Sequence, residues 1–233
     1  MEAIILAGGM GTRLQSVVAD VPKCMAPVAG KPFIYYIFDA LEKAGFTHII
    51  LSLGYKHEVV EEWVKNCAAS MKVSFVVEET PLGTGGGVKF ALSRVEGKEV
   101  FVLNGDTFFD IDYFQMLALH RNTKVVATLA LKEMEDFSRY GAVDMDGTNR
   151  ILRFHEKQYC KSGLINGGIY LIGKEALDEM PEKFSIEKDF FEEEVSSGRL
   201  VGFLSNGYFI DIGIPEDYAK AQIDFDNERY KNL

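Results

Sequence analysis

Cysteine is scarce in this sequence, with three residues among 233. Cys24, Cys67 and Cys160 lie far apart, so they form neither a disulfide framework nor a zinc site with CxxC spacing. A reducing compartment is the simplest explanation of such free thiols. The scarcity therefore predicts a cytoplasmic protein without a cysteine-based scaffold.

Basic side chains are outnumbered, because 25 lysines and arginines face 35 aspartates and glutamates, a net charge of -10 with neutral histidines. Nucleic acids and anionic membranes are polyanions, and both would be repelled unless the protein carried a local basic patch. The lysines and arginines are scattered along the sequence. We therefore expect no nucleic-acid partner and no membrane partner.

Long apolar runs are missing as well, since charged residues interrupt the chain before any segment reaches the roughly 20 apolar residues of a membrane span. Near the N-terminus, Glu2 precedes the short apolar run 3–7 without a basic leader, which indicates a strand rather than a signal peptide. With 47% apolar residues, the sequence can still bury one good core. It contains no repeat and no linker-like stretch, so we expect a single domain over residues 1–233.

Short apolar, β-branched runs alternate with helical patterns through the first part of the chain. The predicted strands are 2–7, 47–53, 72–77, 99–104 and 124–131. Apolar residues at helical spacing predict helices over 32–44 and 56–66. Strands that alternate with helices are typical of βαβ units on a parallel sheet.

The later part of the chain has strands separated by glycine turns and two predicted helices, near 185–196 and 215–229. This pattern indicates a mixed lobe that completes the first part. We therefore divide the domain into a half of about 1–123 and a half of about 124–233.

Three polar or glycine-rich segments directly follow predicted strands, at 8–14, 78–87 and 104–106. Ligands of an open parallel sheet bind beyond the carboxyl ends of its strands, so these segments should line one crevice. In the first segment, glycines let backbone amides approach an anion, and Arg13 and Lys23 add positive charge. A tight structural turn would explain the same glycines.

The glycine pattern matches neither of the common nucleotide-binding fingerprints. Arg13 and Leu14 stand where the third glycine of a dinucleotide-binding motif would fall. The spacing from Gly168 to Lys174 fits a P-loop, but Glu175 follows and the segment is predicted to be a strand.

The complete string GGMGTRL at 8–14, followed by Pro22 and Lys23, resembles the sugar-nucleotide pyrophosphorylases, nucleotidyltransferases that join a sugar 1-phosphate to a nucleoside triphosphate. Further matching segments occur in the family's order, at 82–86, 103–106, 140–141, 156–157, 166–170 and 211–213. The resemblance covers about residues 1–225. It implies a Rossmann-like, three-layer α/β/α fold with a mixed sheet and a smaller sugar-binding lobe, and catalysis assisted by Mg²⁺.

Within the family, the sequence is similar to the guanylyltransferase branch that acts on D-glycero-D-manno-heptose 1-phosphate. Segments 16–18, 22–28, 30–33 and 80–86 carry this resemblance. Cys24 and Gln158 depart from it, because each replaces a proline that is common in the family. The second replacement leaves the placement of Lys157 less defined, and the Cys24 thiol beside Lys23 is expected to have a lowered pKa.

The resemblance implies that a sugar-phosphate oxygen attacks the α-phosphorus of the nucleotide in line and expels pyrophosphate. The implied catalytic residues are Arg13 at the leaving β- and γ-phosphates, Lys23 at the α-phosphoryl group and Asp106. Asp106 and Asp211 match the family's two metal positions, whereas on residue type alone Arg13 and Lys23 would be surface cations. The implied nucleotide-binding residues are Leu6, Ala7, Gly8, Gly9, Gly11, Thr12, Glu78, Gly83 and Thr84.

The implied sugar-phosphate-binding residues are Gly141, Glu156, Lys157, Asn166 and Gly167. Lys157 would pair with the phosphate and Glu156 with sugar hydroxyls. The alternative is that both are exposed strand residues without a role in binding.

Glu78 lies five residues before Gly83, an offset that resembles the family position that reads the base edge. Its carboxylate accepts the two adjacent donors of guanine, whereas uracil and thymine present one donor between two acceptors. Glu78 therefore favours GTP, and the alternative is a solvated acid beside Glu79.

Other functions stay open on the sequence. Within the family these are mannose 1-phosphate as the sugar substrate and uridylyl or thymidylyl transfer. Asp110 and Asp112 form a DxD pair of the kind found in metal-dependent glycosyltransferases, but Asp112 is better placed to cap the following helix. A catalytically silent regulatory subunit is a further alternative, against which the complete charged catalytic set argues. The sequence leaves open whether the chain forms a homo-oligomer.

Overall fold

The computed structural model describes residues 1–9, 14, 17–18, 21–67, 69–155 and 157–226. A nine-stranded mixed sheet forms the centre of this part of the chain, accompanied by two two-stranded sheets. The strands are β1 (Glu2–Ala7), β2 (Pro27–Val28), β3 (Lys31–Pro32), β4 (His48–Leu53), β5 (Lys72–Val77), β6 (Glu99–Asn104), β7 (Thr107–Phe109), β8 (Ala127–Phe137), β9 (Ala142–Met145), β10 (Ile151–Phe154), β11 (Cys160–Gly173), β12 (Leu200–Leu204) and β13 (Phe209–Asp211). The helices are α1 (Phe33–Lys43), α2 (His57–Asn66), α3 (Gly83–Leu92), α4 (Tyr113–Thr123), α5 (Glu192–Ser197) and α6 (Pro215–Asp226), with a 3₁₀ turn at Lys23–Met25 and a π-helix at Ile186–Phe191.

Four parallel strands form one side of the large sheet, in the order β6, β1, β4, β5. Their ends are level, because Ala7 at the end of β1 pairs with Leu53 of β4, and Leu53 pairs with Val77 of β5. Every residue of β4 is buried, as expected for a strand covered on both faces. The loops that follow these strands therefore meet at one edge of the sheet.

Strand β11 joins the parallel side to an antiparallel side. Its residues Ile169–Gly173 run antiparallel to β6, and most of its length pairs with β8, which in turn pairs with β12. The register of β11 against β8 shifts between Asn166 and Tyr170. Such irregularities bend a strand and redirect its side chains, often beside active sites. The sheet is therefore mixed, with its irregular point at Asn166.

Helices cover both faces of the sheet. Along β1, Ala3 and Ile5 belong to one buried cluster with residues of α1, α4 and α6, whereas Ile4 belongs to a second cluster with residues of α3 and the π-helix. Successive residues of a strand point to opposite faces, so this alternation marks a strand buried on both sides. The fold is the three-layer α/β/α architecture with a mixed sheet that the sequence resemblance implies.

Most predicted elements are confirmed, and the differences have local causes. The strands predicted over 2–7, 72–77 and 99–104 have those ends. The strand predicted over 124–131 begins later, at Ala127, because Lys124 still caps α4 with a φ of +52°. Helix α3 was not predicted, since the glycines at 85–87 conceal its helical pattern. The helix predicted over 185–196 begins as the π-helix and continues as α5.

Among the described residues, the helices are all too short or too polar to cross a membrane.

Candidate active site

A cavity of about 620 Å³ opens at the carboxyl edge of the parallel strands. This volume is typical of small-molecule sites. Residues from all three segments that follow β1, β5 and β6 line it, so the predicted shared crevice is confirmed. The predicted site residues on its wall are Leu6, Ala7, Gly8, Gly9, Lys23, Glu78, Gly83, Thr84, Asp106, Lys157, Asn166, Gly167 and Asp211.

Glycines allow close backbone approach at the end of β1. Gly105 N donates to Leu6 O at 2.9 Å, and a Cβ on Gly105 would lie only 2.7 Å from that oxygen. Gly9 is exposed on the cavity wall, and among the described residues nothing lies within 4 Å of a Cβ built there. Within the described part of the chain, the space beside Gly9 is therefore free, as an anion cradle requires.

Lys23 lies between two carboxylates. Its Nζ is 2.5 Å from Asp106 Oδ2 and 3.5 Å from Asp211 Oδ1. The three side chains are 16%, 34% and 25% exposed, respectively, and all three line the cavity. Three charged groups that are distant in sequence thus meet at one point of the cavity wall.

Local structure brings these groups together. Lys23 begins the 3₁₀ turn, and Asp106 follows the end of β6. Asp211 ends β13, which runs antiparallel to β7 and pairs Asp211 with Thr107. Ile212 N donates to Asp106 O at 3.0 Å, which links the two acidic loops directly. Backbone pairing therefore brings the two acidic residues side by side.

The electrostatics of Asp211 fit a cation-binding site. Burial raises its pKa and the negative charge of Asp106 raises it further, while Lys23, the Gly213 amide and Arg139 offset only part of the rise. The pKa of Asp211 is thus raised mainly by burial and further by the neighbouring carboxylate, and a bound cation would offset both effects.

The donor set fits Mg²⁺. Mg²⁺ is commonly held by one or two carboxylates, with water and substrate phosphates in its other positions. In the described part of the chain, no cluster of three or more His, Cys, Asp or Glu side chains is placed to enclose a metal. Asp106 and Asp211 therefore fit a magnesium site that substrate completes, rather than a closed protein cage.

Glu78 lies on the cavity wall after β5, with both carboxylate oxygens held. Oε1 accepts from Ser52 Oγ at 3.1 Å, and Oε2 accepts from Leu82 N at 3.0 Å. Glu79 is exposed and lies outside the lining. Of the two adjacent acids, Glu78 is the one placed to meet a ligand, in a fixed orientation.

Gly83 and Thr84 begin α3, which packs closely on the segment before the π-helix. Gly85 N donates to Phe184 O at 3.0 Å. Gly83 has a φ of +78°, and a Cβ there would lie 2.5 Å from Phe184 O. Glycine is therefore required for this approach, which brings Gly83 and Thr84 to the cavity wall.

Lys157, Asn166 and Gly167 form the part of the wall that comes from the later half of the chain. Asn166 Oδ1 accepts from Gly168 N, and its Nδ2 donates to Tyr170 OH, each at 2.9 Å. The side-chain amide of Asn166 is therefore held in one orientation at the irregular point of β11.

The remaining predicted site residues are not in the lining. Gly141 follows the lining residue Tyr140, and a Cβ there would lie 2.7 Å from His155 O, which gives this glycine a packing reason. Outside the described residues lie Gly11, Thr12, Arg13 and Glu156, whose roles stay predictions.

Arg139 on the cavity wall was not predicted from the sequence. It forms a salt bridge with Asp217 at the start of α6 and donates to Tyr140 OH at 3.2 Å. The Tyr140 ring packs edge-on against Phe209, with centroids 5.8 Å apart. The only sequence signal was that Arg139 precedes the Tyr140–Gly141 segment, and its ion-pair partner lies in a distant helix.

The predicted lowering of the Cys24 pKa is wrong. The side chain is buried, and burial raises the pKa of its thiol to about 12, with a smaller contribution from the negative charge of Asp106. The neighbouring Lys23 does not reverse this, because its ammonium faces the two carboxylates. The thiol therefore stays protonated at neutral pH.

Asp112 caps a helix as predicted. Its Oδ1 accepts from Gln115 N at 2.9 Å at the start of α4. Neither Asp110 nor Asp112 lines the cavity. The DxD pair therefore serves local structure at one of its two positions and lies away from the candidate active site.

Comparison with known proteins gives matches over nearly the whole chain. The family model described as nucleotidyl transferase matches residues 2–228. The D-glycero-alpha-D-manno-heptose 1-phosphate guanylyltransferase of Aneurinibacillus thermoaerophilus is 47% identical, covering 95% of this chain and 97% of that protein. The enzyme of the same name from Campylobacter jejuni is 46% identical, covering 94% and 97%.

Comparison with solved structures also gives matches over nearly the whole chain. HddC from Yersinia pseudotuberculosis has a TM-score of 0.87 and 39% identity, covering 96% of this chain and 99% of that one. HddC has also been solved in complex with GMP-PN, with the same TM-score. With its cavity at the carboxyl edge of a mixed sheet and these matches over nearly its whole length, the chain belongs to the nucleotidyl transferase family.

Proposed function

We propose that this chain condenses GTP with D-glycero-α-D-manno-heptose 1-phosphate to give a GDP-sugar and pyrophosphate. The sugar is the one in the names of the relatives at 46% and 47% identity. The observation that carries the proposal is the pair of salt bridges from Lys23 to Asp106 and Asp211 on the cavity wall. The same cavity is lined by glycine backbone, Glu78 and Asn166.

The reaction joins two anions, and this determines what the site must do. A phosphate oxygen of the sugar phosphate forms a bond to the α-phosphorus of GTP, while the bond from that phosphorus to the pyrophosphate oxygen breaks. The protein must hold these atoms in line and offset their negative charge.

Lys23 offsets charge at the α-phosphoryl group. Its ion pairs with Asp106 and Asp211 hold the ammonium in place before substrate binds, and preorganised charge is the effective kind. When bound by Asp106 and Asp211, Mg²⁺ supplies further positive charge to the phosphates. The backbone at Gly8 and Gly9 faces the same space, and Arg13 keeps its predicted role at the leaving phosphates.

Glu78 selects the base. Ser52 and Leu82 hold its carboxylate in place, and each oxygen keeps a further lone pair for the ring N–H and the exocyclic amino group of guanine. By analogy with bidentate base readout, such a contact contributes about 1–3 kcal/mol of discrimination. GTP is therefore favoured over UTP and dTTP.

Lys157, Asn166 and Gly167 bind the sugar phosphate, with Glu156 at the sugar hydroxyls. Lys157 brings a cation to the cavity wall, and Asn166 brings a side-chain amide that its bond to Tyr170 helps to orient. The half of about 1–123 thus binds the nucleotide, and the half of about 124–233 binds the sugar. We also propose a cytoplasmic location, because the reaction draws on GTP and Cys24, Cys67 and Cys160 are free thiols.

The test is pyrophosphate release by the wild type with Mg²⁺, over GTP, UTP and dTTP combined with heptose, mannose and glucose 1-phosphates. We expect the highest kcat/KM for GTP with the heptose phosphate. Glu78→Gln should lower the preference for GTP over UTP by about 10-fold, as loss of a paired contact implies. Glu79→Gln is the matched control, because this neighbouring acid lies outside the cavity wall, and it should leave the preference unchanged.

Each contrary result removes a named part of the proposal. A higher kcat/KM for mannose 1-phosphate would replace the heptose, and equal use of UTP by the wild type would remove the role of Glu78. Absence of pyrophosphate with every pair would favour a silent regulatory subunit.

A further inference from the structure

A series of hydrogen bonds links the nucleotide side of the cavity to the sugar side, through Glu187 in the π-helix. Thr84 Oγ1 donates to Glu187 Oε2 at 2.7 Å, and Tyr170 OH donates to Glu187 Oε1 at 3.2 Å. Asn166 Nδ2 donates to Tyr170 OH at 2.9 Å. Thr84 and Asn166 line the cavity, whereas Tyr170 and Glu187 stand behind the lining. We call these four residues the relay.

Every bond of the relay has one direction. An amide N–H only donates and a carboxylate only accepts, so the Tyr170 hydroxyl accepts from Asn166 and donates to Glu187. Thr84 Oγ1 accepts from Ile186 N at 3.0 Å, which leaves its own proton for Glu187. Ser185 Oγ also donates to Glu187 Oε2, at 3.0 Å, so this oxygen has two protein donors. A change of orientation at Tyr170 breaks its bond to Asn166 or its bond to Glu187.

The relay is buried at Tyr170, whereas Thr84 and its bond to Glu187 are exposed. Tyr170 is 1% exposed, so water cannot replace a lost partner of its hydroxyl. Burial raises the pKa of Tyr170 well above its ordinary value, and the nearby Glu187 carboxylate adds to the rise, so the hydroxyl keeps its proton. A buried polar group without a hydrogen-bond partner lowers the free energy of unfolding. The π-helix that carries Glu187 is itself a form often found at functional sites.

We propose that Tyr170 and Glu187 are positioning residues, which orient Asn166 for the sugar phosphate and tie it to Thr84 on the nucleotide side. This inference rests on the proposed function. It has a consequence that a local packing role lacks, because loss of the Thr84 hydroxyl, one of the two donors to Glu187 Oε2, should then impair use of the sugar phosphate.

The test is steady-state kinetics with the heptose phosphate varied at saturating GTP. Tyr170→Phe removes one hydroxyl and should lower kcat/KM for the sugar phosphate on the order of 10-fold, mainly through KM. Thr84→Val should lower the same quantity. The double variant should lose little more than the more impaired single variant, because both changes break the same relay.

Tyr208→Phe is the matched control. Tyr208 OH donates to Asp224 Oδ2 at 2.8 Å, a buried tyrosine–carboxylate bond whose residues lie outside the cavity wall. This variant should keep kcat/KM within about 2-fold of wild type, since it loses the same kind of bond elsewhere. Melting temperatures check that each variant is folded. If Tyr170→Phe does not fold, Glu187→Gln is tested instead. In the wild type, the two carboxylate oxygens of Glu187 accept from Thr84 and Tyr170. The side chain of glutamine has only one acceptor oxygen, so one of these two bonds is lost.

Losses that multiply in the double variant would overturn the inference, and so would a Tyr170→Phe enzyme that behaves like Tyr208→Phe. Either result leaves the proposed function standing. A wild type that releases no pyrophosphate with any substrate pair would remove both.

Discussion

At the scale of single residues, the proposed chemistry depends on the ion pairs that Lys23 forms with Asp106 and Asp211. Its ammonium contacts both carboxylates that fit the metal site, yet burial and the charge of Asp106 still raise the pKa of Asp211. Further positive charge would therefore be accommodated beside Lys23. In the proposed function, Mg²⁺ bound by the same two carboxylates would add to the positive charge of Lys23 beside the phosphates.

Lys23→Met should lower kcat on the order of 10² to 10³, with a smaller change in KM for GTP, because a preorganised charge acts mainly in the transition state. Steady-state kinetics measures both quantities. Lys43→Met is a control, since Lys43 pairs with Asp39 on the exposed face of α1. A Lys23 variant that keeps kcat but loses GTP binding would show that Lys23 only anchors substrate.

Asp106→Asn and Asp211→Asn should each lower turnover by orders of magnitude while keeping the fold, since the amide keeps the shape but not the charge that holds Mg²⁺. Turnover is compared with and without a chelator, and circular dichroism checks the fold. Asp110→Asn should keep activity, because Asp110 lies outside the cavity wall. Full activity in chelator, or in both site variants, would refute the metal assignment.

At the scale of elements, glycine occupies positions in α3 and after β1 for different physical reasons. A Cβ on Gly86 would lie 2.3 Å from the backbone oxygen of Glu182, whereas Gly9 has open space around its Cβ position within the described residues. A backbone atom cannot move aside as a side-chain end can. Gly86 is therefore fixed by packing, and Gly9 is free to serve a ligand.

Gly86→Ala should lower the melting temperature by about 2–6 °C, because overpacking of about 1–3 kcal/mol exceeds the helix propensity that alanine gains. Gly9→Ala should leave the melting temperature unchanged and raise KM for GTP. Thermal unfolding and kinetics on both variants separate the two causes. A destabilised Gly9→Ala protein with normal KM would contradict the assignment of Gly9 to the ligand.

Glu2 ties the start of β1 to its neighbours. Its carboxylate accepts from Glu96 N at 3.1 Å and from Gly97 N, and His48 Nδ1 lies 2.7 Å from Oε1. Burial alone would raise the pKa of Glu2, but these hydrogen bonds outweigh it and hold the pKa below 4.5. The ionised carboxylate therefore stabilises the fold above pH 4.5, and this contribution is lost as the pH falls through the lower folded pKa.

Glu2→Gln should lower the melting temperature at neutral pH, and the difference from wild type should shrink in acid. Thermal unfolding from about pH 7 to about pH 3 measures it. A difference that stays constant or grows in acid would contradict the charged role of Glu2.

At the scale of the whole molecule, the sequence predicts the parallel strands and their shared edge well, because buried strands and the residues after them leave local patterns. Lys23, Asp106 and Asp211 were identifiable from motifs, although their mutual contact comes from the pairing of β13 with β7. Arg139 and Glu187 were not, and Tyr170 was identifiable only as a member of the segment 166–170, since their roles depend on partners from distant elements. Contacts between distant side chains have no local signature in a single sequence.

The central claim is that one cavity transfers a guanylyl group to a sugar 1-phosphate, and phosphorus NMR of the products tests it most directly. The wild type is incubated with Mg²⁺, heptose 1-phosphate and GTP that carries a chiral sulfur label at the α-phosphorus. We expect equal amounts of pyrophosphate and GDP-sugar, with inverted configuration at that phosphorus, because one in-line displacement inverts it. Retained configuration, release of inorganic phosphate with GDP, or unconsumed GTP would contradict the claim.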